Sequence, residues 1–274
     1  MGALSWIIGF TLLGGVASVL LASLFLLLPE RTRLRAMPSM VAFATGALLA
    51  AALVGLLPEA VELAGDGGAG KVGMGLLVGI GLFFVLEKLV LWRHCHDDHC
   101  ETHDLAPAQE AHRPTAPAHS HGGHSHGAHG HGSHAHGPAL RRNSSAALVI
   151  TGDTMHNVLD GVLIAAAFLT DIRLGIVTGL AVMAHEIPSE VGNFAVLLHG
   201  GLTRTQAFGW NLLSGLGSVA GGVIGYFALS AVLPWLPVAL AVSAAGLLYV
   251  AVADLIPGLH RRTDARTSVA QVLL

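Results

Sequence analysis

Seven long apolar runs follow one another along the chain, at about residues 3–28, 40–62, 72–92, 144–170, 174–199, 207–232 and 236–258. Each is long enough to cross a hydrocarbon core about 30 Å thick, which takes roughly 20 residues of helix. Because lipid offers no hydrogen bonds to the backbone, such runs predict helices. We therefore expect an all-α polytopic membrane protein, a helical bundle of seven evident transmembrane helices. A last apolar fragment, 267–274, is too short to cross a bilayer and is interpreted as the start of an eighth, truncated helix.

Polar residues interrupt the fourth and fifth apolar runs near the middle. Charged and imidazole groups at that depth are costly, so they usually pair, face a cavity or mark an ion path. Three pairs of these residues are four positions apart, namely His156 with Asp160, His185 with Ser189, and Glu186 with Glu190. Each pair therefore shares one face of its helix. Gly161 and Gly192, in the same two runs, are expected to let the helices approach closely.

The two polar segments are expected at the same depth in the membrane. A short polar break from Thr170 to Arg173 separates the runs and predicts an antiparallel hairpin. His156 lies 14 residues before Thr170, and His185 lies 12 residues after Arg173. At ~1.5 Å of rise per residue, the two positions are roughly 21 and 18 Å from the turn. Two imidazoles and three carboxylates can therefore converge as a divalent-metal site of nitrogen and oxygen ligands, without thiolate.

The alternative is that these side chains only stabilise the core of the bundle. That would place two His, two Glu, one Asp and two Asn at one level of one hairpin for structural reasons alone. Burying so much unpaired polarity is expensive, so we favour metal binding.

The composition is that of a membrane protein. Of the 274 residues, 53% are hydrophobic and only 11% are charged, 35 are Gly, and the mean hydropathy is +0.66. Many apolar spans packed through small residues have this composition. The formal net charge of −3 gives no reason to expect a nucleic-acid partner. The expected surroundings are the lipid bilayer.

Basic residues alternate between the two sides of the predicted bundle. Twelve Lys and Arg lie in or beside the loops after spans one, three, five and seven, and only Lys71 and Arg173 lie on the other side. This distribution places the N-terminus outside and the loop after span three in the cytoplasm. We expect an inner membrane of a bacterium.

The loop between spans three and four, residues 93–143, separates the spans of 1–92 from those of 144–274. Thirteen of the 17 His fall between His94 and His136, among Gly, Ser, Pro and Ala. This composition predicts a disordered cytoplasmic segment that binds metal weakly at many sites. A solvated linker without metal is the alternative.

The motif pair resembles a known family. His-Asn-x-x-Asp-Gly, beginning at His156, and His-Glu-Ile-Pro-x-Glu-x-Gly, beginning at His185, look like the ZIP family of divalent metal transporters. The similarity is greatest to the branch with a His-rich loop after span three. It extends through span order and topology over nearly the whole chain.

The resemblance implies an eight-helix bundle, often a homodimer, that moves zinc into the cytosol, with iron, manganese, cadmium and cobalt as further candidate substrates. Carried over, the metal-binding positions are His156, Asn157, Asp160, His185, Glu186 and Glu190. Three residues depart from the family pattern. Ser189 stands where a His or another ligand is usual, Asn193 where Asp is common, and Gly258 where Glu is common. We keep Ser189 among the candidate ligands because of its position.

Two other functions are weighed. An intramembrane zinc hydrolase could use His156, His185 and Asp160 with an activated water. However, the His-Glu-x-x-His motif of metalloproteases needs a second His at position 189, which is Ser189 here. A metal sensor built around the His-rich loop would bind metal without transporting it.

Overall fold

The computed structural model describes residues 2–92 and 138–257. These residues form seven helices: α1 Ala3–Leu26, α2 Glu30–Ala64, α3 Ala69–Trp92, α4 Pro138–Thr170, α5 Ile172–His199, α6 Arg204–Ala231 and α7 Leu236–Tyr249. A 3-10 turn, Leu233–Trp235, precedes α7. The predicted all-α helical bundle is therefore confirmed. Most of the His-rich loop, the fragment 267–274 and Gly258 lie outside the described residues.

Five of the helical segments are long and apolar enough to cross a membrane, namely Ala3–Leu26, Glu30–Ala64, Ala69–Lys88, Arg204–Ala231 and Leu233–Ala253. The other two predicted spans fold as α4 and α5, which carry the polar motifs. The outward faces are apolar, since large side chains such as Val54, Leu77 and Phe227 are exposed. Such faces suit contact with lipid chains.

Two helices are longer than their apolar runs. Helix α2 begins at Glu30, directly after Pro29, and its first turns carry Arg31, Arg33 and Arg35. Helix α4 begins at Pro138, whereas the apolar run begins near residue 144. Hydropathy marks only the part of a helix that suits lipid. The predicted first residues of these two helices are therefore several positions C-terminal to the observed ones.

Three π-helical turns, which the hydrophobic pattern does not reveal, lie within or directly after helices. They cover Leu13–Ala17 in α1, Ala51–Leu56 in α2, and Val250–Leu255 after α7. The second and third end two residues before Pro58 and Pro257. A proline cannot donate to the carbonyl four residues earlier and its ring crowds that carbonyl, so the preceding turn widens.

The core of the bundle is built from fully buried aliphatic side chains of several helices, including Leu48, Leu56, Ile164, Leu240 and Leu247. Helix α4 packs against both α5 and α6. The α4–α6 contact is close because glycines face backbone. A Cβ atom at Gly161 would lie 2.0 Å from the Ser218 carbonyl oxygen, and one at Gly221 would lie 2.0 Å from that of Val158.

The expected role of Gly161 is therefore confirmed, and that of Gly192 is wrong. Gly192 is exposed, and a Cβ atom built there has no described atom within 4 Å. Its face of α5 points away from the neighbouring helices, so it does not serve close packing.

Candidate metal site

The predicted hairpin is formed by α4 and α5. Helix α4 ends at Thr170 and α5 begins at Ile172, with Asp171 between them. The Asp171 carboxylate accepts hydrogen bonds from the backbone N–H groups of Arg173 at 2.8 Å and Leu174 at 3.2 Å. This N-cap satisfies free donors at the start of α5 and fixes the sharp reversal of the chain.

The hairpin brings four predicted ligands together, His156 and Asp160 from α4 and His185 and Glu186 from α5. One donor atom from each lies within 4.8 Å of all the others. The two His Nε2 atoms are 3.0 Å apart. Glu186 Oε1 is 3.4 Å from each of them, and Asp160 Oδ2 is 3.4 Å from His185 Nε2 and 3.9 Å from His156 Nε2. We call these four residues the His cluster.

These distances suit a zinc ion. Zinc binds nitrogen and carboxylate oxygen at about 2.0–2.2 Å in a tetrahedron, which places neighbouring donor atoms roughly 3.3–3.6 Å apart. The separations that involve a His Nε2 atom, from 3.0 to 3.9 Å, bracket that value. Two imidazoles and two carboxylates also form the nitrogen and oxygen donor set that zinc and related divalent ions accept.

The His cluster is buried and contains unpaired polar atoms. The side chains of His185, Glu186 and Asp160 are at most 5% exposed, whereas that of His156 is 25% exposed. Among the described residues, both Glu186 carboxylate oxygens and Asp160 Oδ2 have no hydrogen-bond partner. Buried carboxylate oxygens normally have donors or bind a cation. His156 provides the more accessible edge of the group.

The remaining predicted ligands lie beside the His cluster. The Asn157 amide nitrogen donates to the backbone oxygen of Asp153 at 3.1 Å and to Ser214 Oγ at 3.5 Å. Its Oδ1 has no hydrogen-bond partner within residues 2–92 and 138–257. Glu190 is fully buried, and its carboxylate oxygens have no hydrogen-bond partner in the part of the chain that the structure describes. It is not among the four clustered carboxylate and imidazole ligands. Ser189 is half-buried. Metal binding by these three residues stays a prediction.

A model of the ZIP zinc transporter family matches residues 3–274. The chain belongs to the ZIP zinc transporter family. Zinc transporter ZIP13 of Homo sapiens is 31% identical over 258 residues, which are 86% of this chain and 67% of that protein. Zinc transporter ZIP4 of Mus musculus is 31% identical over 266 residues, 84% of this chain and 39% of that protein.

A shorter match carries higher identity. Zinc transporter ZIP10 of Danio rerio is 47% identical over 117 residues, which are 42% of this chain and only 14% of that protein. The chain thus spans from about one seventh to two thirds of these relatives' length. Members of the ZIP family are metal transporters rather than enzymes, so the hydrolase alternative is set aside.

One buried acid of this ZIP protein was missed by sequence reasoning. Asp153 lies on α4, is 8% exposed, and accepts a hydrogen bond from Asn193 Nδ2 of α5 at 2.7 Å. Its position offered a signal, because Asp153, Asn157 and Asp160 are spaced by four and three residues and share one helix face. The predicted motif began at His156, so the acid one turn earlier was not considered.

Glu87 illustrates a polar residue with a structural partner. It lies on α3, inside the apolar run, and the hydroxyl of Tyr249 on α7 donates a hydrogen bond to its carboxylate. Interhelical hydrogen bonds of this kind are common where polar side chains enter a membrane bundle.

Proposed function

We propose that this chain is a secondary transporter that moves divalent metal ions, with zinc as the preferred substrate, across a membrane into the cytoplasm. The observation that carries the proposal is the His cluster, in which four donor atoms from two helices lie within 4.8 Å of one another. The named relatives, all zinc transporters, support zinc as the substrate.

The donor set of the His cluster suits transient binding. Closed sites with thiolate ligands hold zinc as part of the structure, whereas a carrier must also release it. Imidazole and carboxylate ligands on two helices can separate when the helices move. Partial exposure of His156 supports a route by which an ion could reach the otherwise buried donors.

The charges of the loops support our assignment of the cytoplasmic side, and the proposed direction of transport is toward that side. Twelve of the 14 Lys and Arg lie on the side that we assign to the cytoplasm, and the His-rich loop is on the same side. An ion would thus enter from outside, bind at the His cluster, and leave toward the His-rich loop. The inner membrane of a bacterium and assembly as a homodimer remain parts of the proposal.

The test is zinc uptake by proteoliposomes that contain the purified chain. His185→Ala removes a ligand that is 2% exposed, and we expect uptake to fall by at least about tenfold, since even indirect partners of a metal affect affinity by 10–100-fold. The matched control is His199→Ala, on the same helix, because His199 is exposed and bonds only to the backbone oxygen of Ala195 among the described contacts.

Uptake by the His199→Ala protein should equal that of the unaltered chain. Wild-type uptake by a folded His185→Ala protein would refute the site, and no zinc uptake by the unaltered chain would refute the transport function. A panel of iron, manganese, cadmium and cobalt in the same vesicles measures selectivity.

A further inference from the structure

We propose that Ser18 of α1 is a positioning residue for the His cluster. Its hydroxyl holds open the π-helical turn Leu13–Ala17, and this turn sets how α5 and α6 lie beside α1. We call Leu13–Ala17 the α1 π turn. The inference rests on the proposed function, because the groups that Ser18 would position are those of the proposed transport site. It concerns a helix in which no metal ligand is predicted.

The Ser18 side chain is bonded to the backbone of the α1 π turn. It is 0% exposed, and its hydroxyl donates to the carbonyl oxygens of Gly14 and Gly15, the latter at 2.8 Å. Where an α-helix widens into a π turn, carbonyl groups lose their N–H partners four residues later. Inside a membrane bundle, Ser hydroxyls can satisfy carbonyl groups that are freed in this way. Ser18 therefore stabilises the wide form of the turn.

The buried positions of α1 indicate why a wider turn is present. Ile7, Thr11 and Val19 are 0% exposed and Gly15 is also buried, so these positions follow one another in steps of four residues. Four residues of an α-helix turn by about 400°, so a line of such positions drifts by about 40° at each step. A π turn has more residues per turn, so it removes part of this drift and keeps the four positions closer to one face.

This face of α1 packs against glycines of α6. A Cβ atom built at Gly222 would lie 2.8 Å from Thr11 Cγ2 and 2.9 Å from Ile7 Cγ2. A Cβ atom built at Gly15 would lie 2.1 Å from the Gly215 carbonyl oxygen, so these two glycines meet backbone to backbone. If the α1 π turn became α-helical, the parts of α1 on its two sides would rotate against each other by about one residue, roughly 100°. They could then no longer face α6 together.

The α1 π turn contacts both α5 and α6 close to the His cluster. A Cβ atom built at Gly14 would lie 3.7 Å from Cγ1 of Val182, which is one helical turn before the α5 ligands of the His cluster. Gly215 directly follows Ser214, whose Oγ accepts a hydrogen bond from Asn157 of α4. A displacement of the α1 π turn would therefore move α5 directly and α4 through α6, and the donor atoms of the His cluster would separate.

Substitution of Ser18 tests this hydrogen bond, and α1 itself offers a matched control. Ser18→Ala removes the hydroxyl, whereas Ser18→Cys keeps the size of the side chain but leaves only a weak donor. Ser23 also donates to the carbonyl oxygen four residues earlier, that of Val19, at 2.8 Å, but it lies in an α-helical part of α1. Ser23→Ala therefore removes the same kind of bond without changing the α1 π turn.

The geometry of the His cluster is measured with Co²⁺ as a substitute for zinc, in the full chain in detergent. Co²⁺ absorbs visible light strongly in a tetrahedral site and weakly in an octahedral one, so its spectrum reports the arrangement of the donors. Each protein is compared with the same protein carrying His185→Ala. The difference between the two spectra isolates the His cluster from Co²⁺ bound by the His-rich loop. Thermal unfolding and zinc uptake by proteoliposomes are measured in parallel.

We expect Ser18→Ala and Ser18→Cys to lower the His185-dependent Co²⁺ absorbance and the rate of zinc uptake by at least about fivefold, since indirect partners of a metal affect affinity by 10–100-fold. Their unfolding temperatures should stay close to that of Ser23→Ala, which should keep both the absorbance and the uptake of the unaltered chain. If Ser18→Ala does not fold, Ser18→Cys alone decides, because it keeps the volume of the side chain.

Three results would overturn the role of Ser18. They are an unchanged Co²⁺ spectrum in folded Ser18→Cys, an equal loss in Ser23→Ala, and a fall in unfolding temperature without a change in the Co²⁺ spectrum. The proposed function fails separately. Absence of zinc uptake by an unaltered chain that shows the His185-dependent Co²⁺ absorbance would refute transport and leave the positioning role intact.

Discussion

The close contact of α4 with α6 provides a sharp test of how packing positions the His cluster. Gly161 follows Asp160 directly, and a Cβ atom added there would lie 2.0 Å from the Ser218 carbonyl oxygen and 2.5 Å from the Gly222 nitrogen. Both contacts are with backbone, so no side-chain rotation relieves them. The substitution Gly161→Ala must therefore separate the two helices or distort one of them.

The size of the separation can be worked out from the contact. Ordinary van der Waals contact of a Cβ atom begins at 3.4 Å, so a separation of 2.0 Å must grow by 1.4 Å. Even if α4 takes only half of this movement, the shift of roughly 0.7 Å exceeds the tolerance of about 0.2 Å for metal–ligand distances. Overpacking of this kind costs ~1–3 kcal/mol of folding stability.

The assay combines zinc uptake by proteoliposomes with thermal unfolding in detergent, and the matched control is Gly192→Ala. Gly192 is also a helical glycine of the motif hairpin, but a Cβ atom there meets no described atom within 4 Å. In a helix interior, Ala is favoured over Gly by ~0.5–1 kcal/mol, so the control should be neutral or slightly more stable.

We expect Gly161→Ala to lower both the unfolding temperature and the rate of zinc uptake, and Gly192→Ala to lower neither. Equal behaviour of the two variants would refute the reasoning that the glycine contact sets the helix distance. A stable Gly161→Ala protein with wild-type uptake would show that α4 and the His cluster tolerate the displacement.

Three further predictions concern the ligand shell, the topology and the loop. Ser189→His should tighten zinc binding and slow zinc release, because imidazole is a far better zinc ligand than a neutral hydroxyl. Calorimetry measures the binding, and unchanged or weaker binding would exclude Ser189 from the metal ligands. The predicted orientation is tested in a cysteine-free background with an impermeant thiol reagent applied to intact cells. The reagent should label Asp66→Cys on the outside and spare Ser120→Cys in the cytoplasm, and the opposite pattern would reverse the orientation. Deletion of residues 94–136 should leave uptake measurable but change its dependence on cytosolic metal, and complete loss of uptake by a folded protein would contradict a purely regulatory loop.

The helices and the centre of the site could be predicted from the sequence because each rests on local periodicity. Apolar runs of membrane length specify helices in lipid whatever their neighbours are. The four-residue spacing of His156 and Asp160 needs only the geometry of one helix, and the short break at Thr170–Arg173 needs only a tight turn. The position of His185 opposite His156 follows from their similar distances to that turn.

Features that depend on neighbouring helices could not be predicted in the same way. Gly161 and Gly192 look equivalent in the sequence, yet only Gly161 faces the backbone of α6. Asp153 gains a hydrogen-bond partner from Asn193, which lies 40 residues further along the chain. The π turns before Pro58 and Pro257 are not visible in the hydrophobic pattern, and Pro188 lies in α5 without such a turn.

Release of the ion is the physical problem that the division of the His cluster between two helices would address. A zinc site with a dissociation constant of about 1 nM corresponds to roughly 12 kcal/mol of binding free energy. With association on the order of 10⁷ M⁻¹s⁻¹, the ion would leave only about once in 100 s, which is slow for a carrier. Because each helix supplies two of the four ligands, a movement that separates α4 from α5 would let water replace the protein ligands in steps instead of all at once. The ligands on α4 keep their positions relative to each other, and so do those on α5, so such a movement would change mainly the distances between the two pairs.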